Sequence, residues 1–171
     1  MASFTSTLTY FHDNPVYGHH IPVPRDHAEP FTSLNEKRVL CTLQGKVTIH
    51  AALMHDGKGD YFILANKTLR NKLGLSLGQD VKVSLETDNS PYGMEVPEEL
   101  TELFSQDEEA DNLFHSLTSG KQRSLIHWVS SVKNPDLRLK RGLVMTRHLK
   151  SSQGKLDWKK LNQELKDANN L

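Results

Sequence analysis

The spacing of apolar residues changes once along the chain, and this change constrains the fold more than any other feature of the sequence. Up to about residue 87 the apolar residues alternate, as in Val39, Cys41 and Leu43, which is typical of half-buried strands. Beyond Pro97 they recur three and four residues apart, which is typical of helices. We therefore predict an α+β protein, with a domain of β-strands in residues 1–90 and an all-α domain in residues 94–171.

The front half is predicted to consist of strands, one short helix and tight connections. The predicted strands are Phe4–Phe11, Val16–Val23, Lys37–Gln44, Lys46–Leu53, the short apolar run Tyr61–Ala65, and Gln79–Glu86. Between the last two, Leu69 and Leu73 lie four apart, so residues 66–73 are predicted to form a short helix that Gly74 ends. His55–Asp60 is a glycine-rich loop, and Asn89–Gly93 has the turn formers of a linker.

A faint internal repeat runs through this half. Ile21–Pro24 leads into a short segment and a strand at Lys37, and Ile63–Asn66 leads into a short helix and a strand at Gln79. Two copies of strand, short helix and strand that pair with each other would close a small barrel.

The back half is predicted to form about five short helices. Pro97 suits a first turn, where a missing N–H costs nothing. Asn134, followed by a proline, and Asp157 are good N-cap residues for later helices. The helices are expected to begin near residues 97, 107, 119, 134 and 157.

The formal charges cancel, with 21 basic and 21 acidic side chains, but they are unevenly placed. Residues 1–92 carry nine of each, residues 93–111 carry eight acidic and no basic ones, and residues 112–171 carry four acidic and twelve basic ones. Neutrality argues against a uniformly basic nucleic-acid protein. The sequence leaves two alternatives for these basic side chains. They form a local basic face on the helical domain, or they pair with the acidic block at residues 95–111.

No set of residues meets the spacing of a catalytic or metal site, so we predict no catalytic residue, metal or cofactor, and more readily a binding protein than an enzyme. Cys41 is the only cysteine, so an internal disulfide is excluded. It falls in register with Val39 and Leu43, so we expect it to lie in the core. The adjacent His19 and His20 point to opposite faces of a strand. No apolar run approaches the ~18 residues of a membrane span, and the first residues do not form a signal peptide, so a cytoplasmic location is expected.

Residues 64–88 carry a resemblance to a known fold. Their short helix, Leu-Gly-Leu turn and alternating strand resemble the double-split β-barrel of AbrB and MazE type DNA-binding regulators, with the usual Gly-Asp pair interrupted as Gly78-Gln79-Asp80. With His20–Pro24 and Lys37–Val39, the front half resembles a bacterial domain of unknown function with that barrel. Val96–Leu100 and Gly120–Arg123 resemble the YdeI or OmpD-associated helical family, also named for bacteriocin protection. The resemblance implies two domains in this order and no established reaction.

Basic and polar side chains supply the candidate ligand-binding residues. They are Arg38, Asn66, Lys67, Arg70, Arg123, Lys133, Arg138 and Arg141. Arginine gives bidentate bonds to phosphate and lysine a point charge.

Three functional hypotheses remain open. The first is a non-enzymatic binding or accessory protein that engages an anionic ligand through a basic face of the helical domain, or a protein partner. The second is a small-molecule binder or enzyme with its site between the two domains. The third, by analogy with AbrB-like barrels, is a DNA-binding regulator, although a neutral barrel weakens it because DNA affinity rests on phosphate neutralisation.

Overall fold

The structure, a computed structural model, describes residues 1–13, 17–33 and 37–171. The chain separates into two compact units, residues 1–93 (the front unit) and residues 94–171 (the helical unit). The front unit contains the strands and two short helices, and the helical unit contains helices without strands, so the chain is α+β.

The front unit contains eight strands and two short helices among its described residues. The strands are β1 (Ala2–Thr7), β2 (Thr9–Tyr10), β3 (His19–Val23), β4 (Arg38–Leu43), β5 (Val47–Ala52), β6 (Met54–His55), β7 (Tyr61–Leu64) and β8 (Asp80–Thr87), and the helices are α1 (Arg25–Thr32) and α2 (Lys67–Leu73). Val16, where one predicted strand was expected to begin, lies outside the described residues.

The strands form two antiparallel sheets, in the orders β1-β8-β4-β5 and β2-β3-β7-β6. The two copies of the repeat pair with each other: β3 pairs with β7, with Ile21 opposite Ile63, and β4 pairs with β8, with Cys41 opposite Leu85. Within the described part of the chain the two sheets are not closed into one barrel, so the double-split barrel type stays a prediction.

Alternate residues of the strands build one apolar core in the front unit. Val39, Cys41 and Leu43 on β4 are fully buried, together with Val81 and Leu85 on β8. Burial raises the pKa of the Cys41 thiol to about 12. The core position predicted for this cysteine is therefore confirmed, and its thiol stays protonated and unreactive.

Two predicted segments differ in detail from the structure. The strand expected over Phe4–Phe11 breaks at the buried Leu8, so that its two parts join different sheets. His55, expected in a loop, lies in the short strand β6 opposite Tyr61. Two-residue strands carry too little periodicity to be seen in a sequence.

The helical unit contains five helices: α3 (Glu98–Gln106), α4 (Glu108–His115), α5 (Ser119–Ser130), α6 (Pro135–Ser151) and α7 (Trp158–Asn169). The caps follow the sequence: Asn134 Oδ1 accepts the N–H of Asp136 at 2.8 Å, and Asp157 Oδ1 accepts that of Lys160 at 3.1 Å. Pro97 lies one residue before α3. Helix α6 packs against the other four and supplies much of the core.

Candidate ligand-binding site

A cleft of about 330 Å³ lies in the front unit beside β3 and the start of α2. Its lining residues are Tyr10, Tyr17, Gly18, His19, Leu64, Ala65, Asn66 and Arg70. We call it the arginine cleft. It brings together two of the residues predicted from the sequence, Asn66 and Arg70, and no acidic side chain from the described ranges lines it.

Helix α2 positions Arg70 one turn after its N-cap. Asn66 Oδ1 accepts the N–H of Leu69 at 2.8 Å, and Gly74 ends the helix with a φ of 60°. Arg70 Nε is buried and has no hydrogen-bond partner among the described residues. A buried donor without a partner costs roughly 1–3 kcal/mol, and Arg38 Nε is buried without a partner in the same way.

His19 adds a second hydrogen-bonding group to the same cleft. Burial, followed by the positive charge of Arg70, lowers the pKa of His19 below its usual value. The imidazole is therefore neutral at pH 7, and its edge contacts Tyr10 with 4.9 Å between ring centroids. An anion between His19 and Arg70 would offset the repulsion that lowers this pKa.

Gly18 shapes the wall of the arginine cleft. A Cβ atom at this position would lie 2.6 Å from Cε2 of Tyr10, far closer than van der Waals contact allows. Glycine therefore lets the Tyr10 ring lie against the backbone beside His19.

A larger cleft of about 700 Å³ lies in the same unit and shares Tyr17 with the arginine cleft. Its walls include Phe11, Met54 and Phe62, with charged groups of both signs such as Lys37 and Asp56. His20, on the opposite face of β3 from His19, is buried and stacks on Phe11 with 3.6 Å between ring centroids. The predicted divergence of the two adjacent histidines is confirmed.

A histidine–carboxylate pair links β5 to the residue that follows β8, and β4 lies between these two strands in the sheet. His50 Nδ1 lies 2.7 Å from Asp88 Oδ2, and the Asp88 side chain is fully buried. Asp88 Oδ1 also accepts hydrogen bonds from the Ser90 N–H at 3.0 Å and from Ser90 Oγ. Burial opposes ionisation of Asp88, but the hydrogen bonds from Ser90 and His50 outweigh it and lower its pKa. The segment expected to be a free linker is thus hydrogen-bonded into the front unit.

Two other predicted residues of the front unit lie away from the arginine cleft. Arg38 donates through Nη2 to the carbonyl of Gly93 at 2.7 Å. Lys67 is exposed on the first turn of α2 and does not line the cleft.

Several basic residues of the helical unit are already paired. Arg138 forms a forked contact with Glu99, at 3.1–3.2 Å from Nε and Nη2. Arg141 donates to the Trp128 carbonyl at 2.6 Å and lies over the Trp128 ring, 5.3 Å from its centroid. Lys150 Nζ lies 2.6 Å from Asp107. The acidic block therefore neutralises part of the basic tail, while Arg123 is partly exposed and Lys133 exposed.

Sequence reasoning missed Tyr10, His19 and the His50–Asp88 pair as site residues. Their places in these sites depend on contacts between residues that are far apart in the sequence. Such contacts have no fixed sequence spacing from which they could be predicted. The described residues contain no group of three or more His, Cys, Asp or Glu side chains placed to hold a metal ion. None of the helices in the described ranges has the length and apolar character needed to cross a membrane.

Comparison with known proteins divides the chain in the same place. Residues 4–85 match the family model of a domain of unknown function (DUF1905), and residues 93–151 match that of the bacteriocin-protection, YdeI or OmpD-associated family. The two-domain resemblance read from the sequence is therefore confirmed. No curated protein and no solved structure matches the chain.

Proposed function

We propose that this chain, which matches a domain of unknown function and the YdeI or OmpD-associated family, is a binding module for a small anionic ligand. The arginine cleft of the front unit is the binding site in this proposal. The observation that carries it is the position of Arg70 in the wall of a cleft that no acidic side chain of the described ranges lines.

Three features of the cleft support an anion of small size. Arg70 supplies a permanent positive charge, and His19 and the Asn66 amide supply polar groups beside it. The volume of about 330 Å³ is at the lower end of the usual range for small-molecule sites. A phosphate or carboxylate group would accept hydrogen bonds from arginine with the geometry that this side chain favours.

The pairing found in the helical unit favours the front unit as the binding site. Arg138 and Arg141 hold protein acceptors, so a ligand there would have to compete with contacts already made. Arg123 and Lys133 remain candidates for the basic face predicted from the sequence. The site between the two domains also stays a prediction, as does a cytoplasmic location.

The proposal is tested by titrating the protein with inorganic phosphate and following backbone amides by NMR. We expect shifts at residues 18–19 and 66–70, and we expect Arg70→Met to weaken binding about tenfold or more, since a charged hydrogen bond contributes roughly 1.5–3 kcal/mol. Lys67→Met is the matched control, because it removes the same charge from the same helix outside the cleft. Equal weakening by both variants, or no shift at these amides, would overturn the proposal.

The DNA-binding alternative, together with the double-split barrel that suggests it, predicts a different result. A regulator that neutralises several phosphates binds duplex DNA with an affinity that falls steeply with salt. Steep salt dependence with a duplex, and no response to phosphate, would favour that function over the proposed one.

A further inference from the structure

A third cleft, of about 370 Å³, lies in the front unit and shares Leu64 and Asn66 with the arginine cleft. Its walls are mainly apolar: Ile49, Ala51, Ala52, Met54, Ile63, Leu64 and Leu69 line it, with His50 and Asn66 as its polar groups. We call it the His50 cleft. An apolar cavity with a few fixed polar groups is the usual form of a small-molecule site.

The His50 ring is held in one orientation by Asp88. The carboxylate is fully buried and lies 2.7 Å from Nδ1, whereas the imidazole remains 23% exposed. Because the ionised Asp88 carboxylate can only accept hydrogen bonds, Nδ1 is the nitrogen that keeps its proton whenever the ring carries a single proton. Nε2 is then an acceptor, and no described residue donates to it.

Asp88 is itself fixed from its other oxygen. Oδ1 accepts from the N–H and the hydroxyl of Ser90, and Ser90 Oγ in turn accepts the N–H of Gly93 at 3.0 Å. This arrangement makes the carboxylate a rigid support for the imidazole rather than a mobile surface charge. It resembles the support that an oriented histidine needs in order to act through its second nitrogen.

We propose that the His50 cleft binds a compact apolar molecule bearing a hydroxyl group, which donates its hydrogen bond to Nε2 of His50. The Asn66 amide nitrogen is the second polar contact at the cleft, because Asn66 Oδ1 is occupied by the helix cap. The volume of about 370 Å³ accommodates a ring of phenol size. The two clefts share Leu64 and Asn66, so the two proposals are separated by residues 18–19 and 70 of the arginine cleft and residues 49–52 of the His50 cleft.

The test compares phenol, which donates, with anisole, which has a similar ring but only accepts. NMR titration of the wild-type protein is expected to give phenol an affinity about three- to tenfold higher than that of anisole, with shifts at residues 49–52 and 63–66. His50→Leu removes the acceptor, so it is expected to abolish this preference while both probes still bind. Equal affinities in the wild-type protein would overturn the proposal.

Asp88→Asn gives a sharper result because it reverses the tautomer. The introduced carboxamide keeps its oxygen towards the two Ser90 donors, so its NH₂ group faces His50 Nδ1, which must then accept. Nε2 becomes a donor, and the preference is expected to change from phenol to anisole. Asp56→Asn, which removes a carboxylate elsewhere in the front unit, is the matched control and should retain the wild-type preference.

The ¹⁵N shifts of the His50 ring report the tautomer directly and do not depend on any ligand. If Asp88→Asn fails to fold, the proposal is still tested by the tautomer of the wild-type His50 ring and by the ratio of the wild-type affinities for phenol and anisole. A wild-type His50 protonated on Nε2, or a preference unchanged in a folded Asp88→Asn variant, would overturn the proposal.

Discussion

Arg70 in the front unit and Arg138 in the helical unit lie in contrasting environments. Arg138 forks onto Glu99, with about a quarter of its side chain exposed. Arg70 buries its Nε without an acceptor from the described residues, beside a neutral histidine. The contrast teaches that an arginine without an acidic partner is a better guide to a binding site than the number of basic side chains in a region. The helical unit carries twelve basic side chains against nine in the front unit, but several of them pair with its own acidic block.

The largest effect is expected where a polar group of the helical unit is both buried and fully paired. His148 is completely buried; its Nδ1 lies 2.8 Å from Glu164, and its Nε2 accepts the N–H of Asp157 at 3.2 Å. His148→Ala should lower the free energy of unfolding by about 3 kcal/mol through lost packing and lost hydrogen bonds. Denaturation followed by fluorescence of Trp128 and Trp158 isolates this unit, because both tryptophans of the chain lie in it.

A matched control is His127→Ala on α5. This side chain is exposed, so its loss should change the unfolding free energy by less than about 0.5 kcal/mol. Similar losses in the two variants would show that His148 does not tie α6 to α7, and would weaken the contrast between the units.

The two arginines are expected to respond to the same substitution with opposite signs. Arg70→Met removes an unsatisfied buried donor and should raise the free energy of unfolding of the front unit by about 1 kcal/mol. Arg138→Met leaves Glu99 without its partner and should destabilise the helical unit. Hydrogen exchange of amides in each unit measures both effects in the intact chain. A destabilising Arg70→Met would mean that Arg70 has a structural partner after all.

Acid should weaken the helical unit through the same ion pairs. Hydrogen bonding to Arg138 lowers the pKa of Glu99, and hydrogen bonding to Lys150 lowers that of Asp107. Because the folded-state pKa values lie below the unfolded ones, this stabilisation is present above the ordinary carboxyl pKa of about 4 and is lost as the pH falls through the folded values.

The variant that checks this is Arg138→Met. The tryptophan-detected unfolding free energy should fall less steeply below about pH 4 in this variant than in the wild-type protein. An unchanged acid slope would show that Glu99 does not depend on Arg138 for its ionisation.

The smallest effect concerns the wall of the arginine cleft. Gly18→Ala should displace the Tyr10 ring, since the added Cβ would lie 2.6 Å from it, and weaken phosphate binding by about two- to threefold, less than the loss of a direct contact. Gly120→Ala, where an added Cβ meets nothing within 4 Å, is the control. Phosphate affinity equal to wild type in the Gly18 variant would remove Tyr10 from the site.

Much of the fold could be predicted from local sequence patterns. Alternation placed Cys41 and its neighbours in the core, and Asn66 and Gly74 marked the ends of α2, because these signals depend on the residue and its immediate neighbours. Asn66 and Arg70 were chosen as ligand candidates on one short helix, and the structure places both in one cleft.

The rest could not be predicted because it depends on distant strands. His19 meets Arg70 only after β3 pairs with β7, and His50 meets Asp88 across 38 residues. The pairing of Arg138 with Glu99 was left open in the sequence for the same reason: two helices of opposite charge can lie together or apart, and only their packing decides.

The pairing of β1 with β8 also sets an order of events during synthesis. Ala2 lies opposite Leu85, so the first strand of the unit to be synthesised pairs with the last one. At about 5–20 residues per second, the first strand waits several seconds for its partner, with its edge unpaired. We expect the front unit to complete its sheet only after residue 87 has emerged, when the helical unit is already being made.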